Sequence, residues 1–199
     1  AMILGGMKVT HTTYAPALIL GDVGLLQTAP MDMVRGGYAD IIGKYSCLND
    51  WRLSHLVNGE PLCDEIYNLT YETVVSVAGM GEAILSRDEN SVAELMRALV
   101  IVGIAMAYMG NSRPASGSEH HLSHYFEVVG LLRHEPYFCH GIDVAYSTLV
   151  TAKLRSELLA IDVPAAKPFD EAAWEAEIRR IYGTAEGIDP AEGIQETAE

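Results

Sequence analysis

Apolar positions along most of the chain recur every three or four residues, the repeat that lays a single stripe along an α-helix. Between Gly36 and Val57 the stripe runs through Tyr38, Ile41, Ile42, Tyr45, Leu48, Trp51 and Leu56, then stops at Asn58-Gly59. This predicts a long helix closed by glycine. The segment from Asn68 to Arg87 repeats the pattern, although Gly79 and Gly81 each weaken it by ~1 kcal/mol relative to alanine. Ser91-Val-Ala-Glu94 reads as a capping box opening an apolar helix that reaches Met109. Gly110 to Gly117 (GNSRPASG) has the composition of a loop, after which Ser118 is expected to cap a helix passing His120 and His124 to about Leu132. A further helix follows His140-Gly141 to about Ala160, and Asp170 caps a last one, AAWEAEIRRIYG, closed by Gly183.

The opening residues follow a different pattern. KVTHTTY, from Lys8, alternates like a short strand, and PALIL, from Pro16 to Leu20, reads as a second. Two strands alone are marginal in water, so they are expected to belong to a larger sheet that this sequence does not contain. The predicted class is mainly α: a helical domain over residues 30–183 with roughly six helices, entered through a strand stub over 1–29. Residues 184–199 carry five acids, no bases and few apolar positions, and are expected to form an acidic mobile tail.

Charge narrows the function. Lys and Arg number 13 against 27 Asp and Glu, a net charge of −14, which argues against nucleic acid because such partners are held by neutralising phosphates. The longest uncharged apolar run, Ala98 to Gly110, falls short of the ~18–20 residues of a bilayer crossing, so membrane insertion is not expected and the run reads as a buried helix. Cys47, Cys63 and Cys139 form no CxxC pair and are odd in number, and Met2 to Gly6 is too short for the apolar region of a signal peptide. These point to a reducing, cytoplasmic setting. Enough apolar residues are present, 49%, to build a core.

The candidate chemistry lies between Gly110 and Gly141, which holds five of the seven histidines. His120 and His124 are i and i+4 on a helix and project from one face, so both can reach one metal or substrate, while His121 points about 100° away. HxxxH alone is equally the pattern of solvated or core-satisfied rings. His140 starts the next helix beside Gly141, where backbone can approach a ligand closely. Upstream, Asp40 lies between Gly37 and Gly43 with Lys44 at i+4. It reads either as an acid at a helix N-terminus paired with that lysine or as a ligand. One carboxylate with two imidazoles and an open position is the donor set of a catalytic divalent site.

Several stretches together resemble a known family. SRPASGSEHHLSHYFE, the upstream GGYADIIGKYSCLNDWRLSH, the later CHG and GDVGLLQTAP at Gly21 to Pro30 resemble the sn-glycerol-1-phosphate dehydrogenases, within the iron-containing alcohol dehydrogenase and dehydroquinate synthase-like superfamily. RRIYG near the end is similar to the family's later helices, so the resemblance runs from about Lys8 to Gly183. It implies a helical domain that holds a divalent metal (zinc, nickel or iron) through Asp40, His120 and His140, with His124 relaying a proton or supporting the ligands. It implies Lys44 and Arg113 as cations for the phosphate of a small phosphorylated polyol, and NAD(P) bound by a separate α/β domain. That domain's glycine-rich turn is not in this sequence, since Gly5-Gly6 is no GxGxxG, so NAD(P) binding is expected only where a nucleotide-binding domain is supplied in trans or by a longer parent. Both ends are expected to be cut, with Met2 as the true start. Where the family usually reads HGExVGxG the chain has HGIDVAYS, placing Ile142, Ala145 and Ser147 at an acid and two glycines. Three functions stay open: one half of a dehydrogenase, a non-catalytic module that binds metal or phosphosugar, and a structural domain whose apolar faces make an oligomer. Without its nucleotide domain the helical domain is expected to expose an apolar face and to self-associate.

Overall fold

A computed structural model describes residues 2–4, 7–9, 13–136, 138–162 and 168–182. The expected acidic tail and the closing Gly183 lie outside the described residues. Within them the protein is mainly α-helical, with eight helices and one short hairpin. The hairpin pairs β1 (Met2–Leu4) with β2 (Met7–Val9), antiparallel, with Met2 opposite Val9. PALIL forms no strand. Leu18 and Leu20 are exposed, and with no strand beside it among the described residues, this segment stays irregular up to the four-residue helix α1 (Val23–Leu26).

The centre of the fold is α2 (Met31–Asn58), longer than its periodicity predicts because helical geometry starts right after Pro30. Pro30 holds the N-cap position with no side-chain cap bond, and its missing N–H removes one of the donors that a helix start leaves unsatisfied. The far end closes as expected on Gly59, left-handed at φ 69°, whose N–H reaches His55 O. One face of α2 is apolar and packs on α3 (Asp64–Ala78), α4 (Gly81–Leu85) and α5 (Glu89–Met109), where Val34, Ile41, Val74, Val77, Ile84, Leu95, Ala98 and Val102 form the main core. Farther along α2, Cys47, Leu48 and Trp51 form a second cluster, with the indole N–H of Trp51 donating to Pro61 O at 3.0 Å.

Three local expectations are corrected. The single helix over 68–87 is two, interrupted after Ala78 at Gly79-Met80. The opening of α5 is capped by Asp88, whose carboxylate accepts from Ser91 N–H and Oγ, so Ser91 lies inside the helix and not at its cap. The predicted buried helix is buried along one face only: Val92, Leu95, Ala98, Val102 and Ala105 are core, whereas Ile104 and Tyr108 are 43% and 79% exposed. By length and composition alone α5, at 21 residues, is apolar enough to cross a membrane, but its inner face is core.

The opposite face of α2 carries small and polar residues and receives α6 (Ser118–Arg133) and α7 (His140–Leu159). Gly36 of α2 meets Gly141 of α7 backbone to backbone, and Gly43 faces Val144 and Thr148. The close approach permitted by Gly141 is therefore to a neighbouring helix. Arg155 of α7 ties the layer together, donating to Ser46 Oγ, to Asp50 Oδ1 at 2.5 Å and to Ser118 Oγ at 2.8 Å. Asp50 in turn accepts from Ser118 N–H at 2.7 Å, so Gly117, and not Ser118, is the N-cap position of α6. Asp170 accepts from Ala173 N–H at the start of α8 (Glu171–Tyr182).

Candidate metal centre

The packing of α6 and α7 on α2 brings together residues far apart in sequence. Asp40 lies on α2 in its third turn, not its first, because the helix begins nine residues earlier at Met31. Attraction to a helix N-terminus, which fades within one turn, therefore does not explain it. His120 is in the first turn of α6 and His140 is the first residue of α7. One donor atom from each of Asp40, His120 and His140 lies within 4.8 Å of the other two. The ring centroids of His120 and His140 are 5.1 Å apart, and those of His124 and His140 are 5.4 Å apart and near parallel.

Each side chain of the set is held from behind. His120 Nδ1 is 2.7 Å from Glu119 Oε1, and Glu119, fully buried, also accepts from Gly117 N–H at 3.0 Å. His120 Nε2 is thereby turned toward Asp40 Oδ1, 3.3 Å away. Lys44 Nζ, one turn along α2 and itself buried, sits 3.1 Å from Asp40 Oδ2. Burial works against ionising Asp40, but the His120 ring and the Lys44 ammonium outweigh it and hold the carboxyl down at about 2. Burial likewise opposes a charge on His120, yet Asp40 and Glu119 outweigh it and raise the ring above its ordinary value. Glu127 spans two rings: Oε2 lies 2.7 Å from His124 Nδ1 and Oε1 lies 3.0 Å from His140 Nδ1. Burial disfavours the Glu127 carboxylate, and the two imidazoles overcome that and hold it below the usual range.

Asp40 Oδ1 is buried and makes no well-formed hydrogen bond, its one close neighbour being His120 Nε2 at 3.3 Å. A buried carboxylate oxygen held only by a long contact is incompletely satisfied in protein alone. A carboxylate oxygen and two imidazoles with ligand atoms converging at 4.8 Å or less, that oxygen lacking a well-formed hydrogen bond, fit a divalent cation, for which they are common ligands. The set opens on a cleft of about 500 Å³. Lys44, His124 and Glu127 share its polar wall, Leu99, Val102, Gly103 and Met106 of α5 form an apolar wall, and Ser112, Ala115 and Ser116 come from the loop before α6. Cavities of this character, mostly apolar with a few converging polar groups, are typical ligand sites.

Arg113 is placed elsewhere. It is not among the residues lining the cleft, and its Nε pairs with Glu60 Oε1 at 2.6 Å. Of the five clustered histidines, His121 is exposed and His134 ends α6 in a left-handed conformation at φ 52°. Sequence reasoning missed Glu119 and Glu127. A signal was present, since Glu119 adjoins His120 and Glu127 follows His124 by three residues, the spacing of helical neighbours.

No family model matches the chain. Among curated proteins it is 37% identical over 153 residues to the glycerol-1-phosphate dehydrogenase [NAD(P)+] of Halalkalibacterium halodurans, covering 77% of this chain and 38% of that one. The protein of the same name from Bacillus licheniformis is 35% identical over 181 residues, covering 91% of this chain and 44% of its own length. That from Methanosphaerula palustris is 37% identical over 116 residues, 58% of this chain and 32% of its own. The chain thus spans less than half the length of these relatives.

Proposed function

Because the chain belongs to the glycerol-1-phosphate dehydrogenase family while spanning under half of its curated members' length, we propose that it is the metal-holding helical domain of an NAD(P)-dependent oxidoreductase interconverting glycerol phosphate and dihydroxyacetone phosphate. The reading is carried by the convergence of Asp40, His120 and His140, whose ligand atoms lie within 4.8 Å of one another. These three residues would hold zinc, nickel or iron. A divalent cation supplies Lewis-acid polarisation of a substrate oxygen when bound.

The chain's own groups supply the rest. His124, lining the cleft one helical turn from His120, moves the proton of the reacting hydroxyl, its Nδ1 held on Glu127. Lys44 meets the substrate phosphate from the polar wall. Arg113, outside the cleft and paired with Glu60, would have to leave that pair to join it. Leu99, Val102 and Met106 exclude water from the reacting carbon, which protects a hydride in transfer. NAD(P) is bound by a nucleotide-binding domain that completes the cleft. The protein works in the cytoplasm as a homo-oligomer, burying the outer face of α5.

A second reading, a metal- or phosphosugar-binding module without turnover, is favoured by one observation. Both cations offered to the phosphate are already paired, Lys44 with Asp40 and Arg113 with Glu60. Zinc titration followed by thermal unfolding tests the shared metal site. At free zinc 100-fold above Kd the gain is about 2.7 kcal/mol, or roughly 5–10 °C in Tm for a chain of this size. Asp40→Asn is expected to abolish the gain, and no zinc-dependent rise in the unaltered protein refutes the site. Reduction of dihydroxyacetone phosphate with NADH or NADPH, assayed with and without a nucleotide-binding domain, separates the oxidoreductase from the binding module.

A further inference from the structure

We infer that Glu127 is a positioning residue, a single carboxylate that fixes which nitrogen His140 offers to a metal and which nitrogen His124 offers to the cleft. The inference rests on the metal reading above and concerns the residue behind the ligands. Glu127 is largely buried and places one oxygen on each ring, Oε1 at 3.0 Å from His140 Nδ1 and Oε2 at 2.7 Å from His124 Nδ1. A carboxylate has only acceptors, so each ring must present a hydrogen there, and a neutral ring that donates through Nδ1 carries its lone pair on Nε2.

The same arrangement appears on the other imidazole of the set. Glu119 holds His120 through Nδ1 at 2.7 Å and turns Nε2 toward Asp40. Both imidazoles therefore reach the cleft through the same nitrogen, each backed by its own glutamate. Such outer carboxylates raise ligand basicity and spare the metal the work of orienting the ring. Glu127 differs from Glu119 in serving two rings at once, which couples the His140 ligand to His124.

This explains why a second group of metal-ligating side chains, His124, Glu127 and His140, also converges within 4.8 Å. In the apo protein that convergence is the hydrogen-bonded bridge itself, with both Glu127 oxygens taken up by the rings. A cation there would compete with both Nδ1 hydrogens. An amide cannot replace this carboxylate, because it has one acceptor and one donor and the rings need two acceptors. In Glu127→Gln one ring must turn or change tautomer, and Glu127→Ala removes the carboxylate from both, leaving Ser123 Oγ at 3.5 Å beside His140 Nδ1.

The test measures zinc affinity by competition with a chromophoric chelator and reads the ligating ring nitrogens by long-range proton–nitrogen NMR of the zinc-loaded full chain. In the unaltered protein His120 and His140 are expected to bind zinc through Nε2, with His124 protonated at Nδ1. Glu127→Ala is expected to weaken zinc binding 10- to 100-fold while the metal-free melting temperature stays close to that of the parent. Should Glu127→Ala fail to fold, the nearly isosteric Glu127→Gln carries the test through a changed tautomer at His140 or His124. Ligation of His140 through Nδ1, or zinc affinity in the folded Glu127→Ala equal to that of the parent, overturns the inference and leaves the metal site standing. Unchanged affinity and tautomers in Glu127→Gln do the same. Absence of zinc binding by the unaltered protein refutes the metal site, and the inference with it.

Discussion

Replacing Gly141 with alanine probes the contact on which the whole site depends. A Cβ on Gly141 would lie 2.4 Å from the carbonyl oxygen of Gly36 and 2.5 Å from its Cα and carbonyl carbon. These are backbone atoms inside a 28-residue helix and cannot swing aside, so α7 must retreat from α2 by about 1 Å to restore contacts near 3.5 Å. Overpacking of this kind costs about 1–3 kcal/mol, and the better helix propensity of alanine offsets about 1 kcal/mol of it. A net loss of up to about 2 kcal/mol lowers Tm by up to roughly 8 °C. Because His140 is the adjacent residue, the same retreat draws a ligand away from Asp40, and zinc affinity is expected to fall at least 10-fold. The assay is thermal unfolding of the metal-free protein together with a zinc competition titration. Two glycines serve as controls. A Cβ on Gly36 would meet Gly141 Cα at 3.4 Å, an ordinary contact, so Gly36→Ala is expected to be nearly neutral. Gly103, inside α5, has nothing within 4 Å, and Gly103→Ala is expected to raise stability by about 0.5–1 kcal/mol. A Gly141→Ala protein that melts at or above the parent temperature and binds zinc equally well would refute the reasoning.

Asp143→Asn is expected to stabilise the protein at neutral pH but not near pH 4. Burial, followed by the charge of Glu127, pushes the Asp143 carboxyl up to about 6, and its Oδ2 has no hydrogen-bond partner. The unfolded chain ionises first, so folded stability falls as pH rises from about 4 through 6, by up to about 3 kcal/mol, and asparagine removes that loss. Chemical denaturation at pH 4 and pH 7.5 reads it, and an equal effect of the substitution at both pH values would contradict it. Self-association through α5 predicts that Ile104→Glu, at an exposed position, shifts sedimentation velocity toward the monomer without lowering Tm. A parent protein already monomeric at high concentration would remove the basis for that expectation.

Most of the helical frame was legible because its signals are local. The stripe from Tyr38 to Trp51, the glycines at 59 and 110 and the aspartate at 170 act within one or two turns of their own position. Where the local reading erred, the deciding partner was remote or the pattern ambiguous. PALIL has the composition of a strand but no strand to pair with among the described residues, and α5 carries apolar residues all round while the fold buries one face. HxxxH on α6 placed His120 and His124 on a common face, but nothing within ten residues of either specifies Asp40 or His140. The resemblance to a family named those positions, and the structure adds what a motif does not state: the glutamate behind each ring, the lysine on Asp40 Oδ2 and the glutamate on Arg113.

The sequence by itself determined that the chain forms helices, where most of them stop, and that two histidines share one helical face. Only the tertiary structure decided that residues 40, 120 and 140 meet. Helix formation depends on neighbours three and four residues away, whereas the meeting of these residues depends on α2 and α7 touching at Gly36 and Gly141, a contact across 105 positions that no local pattern encodes.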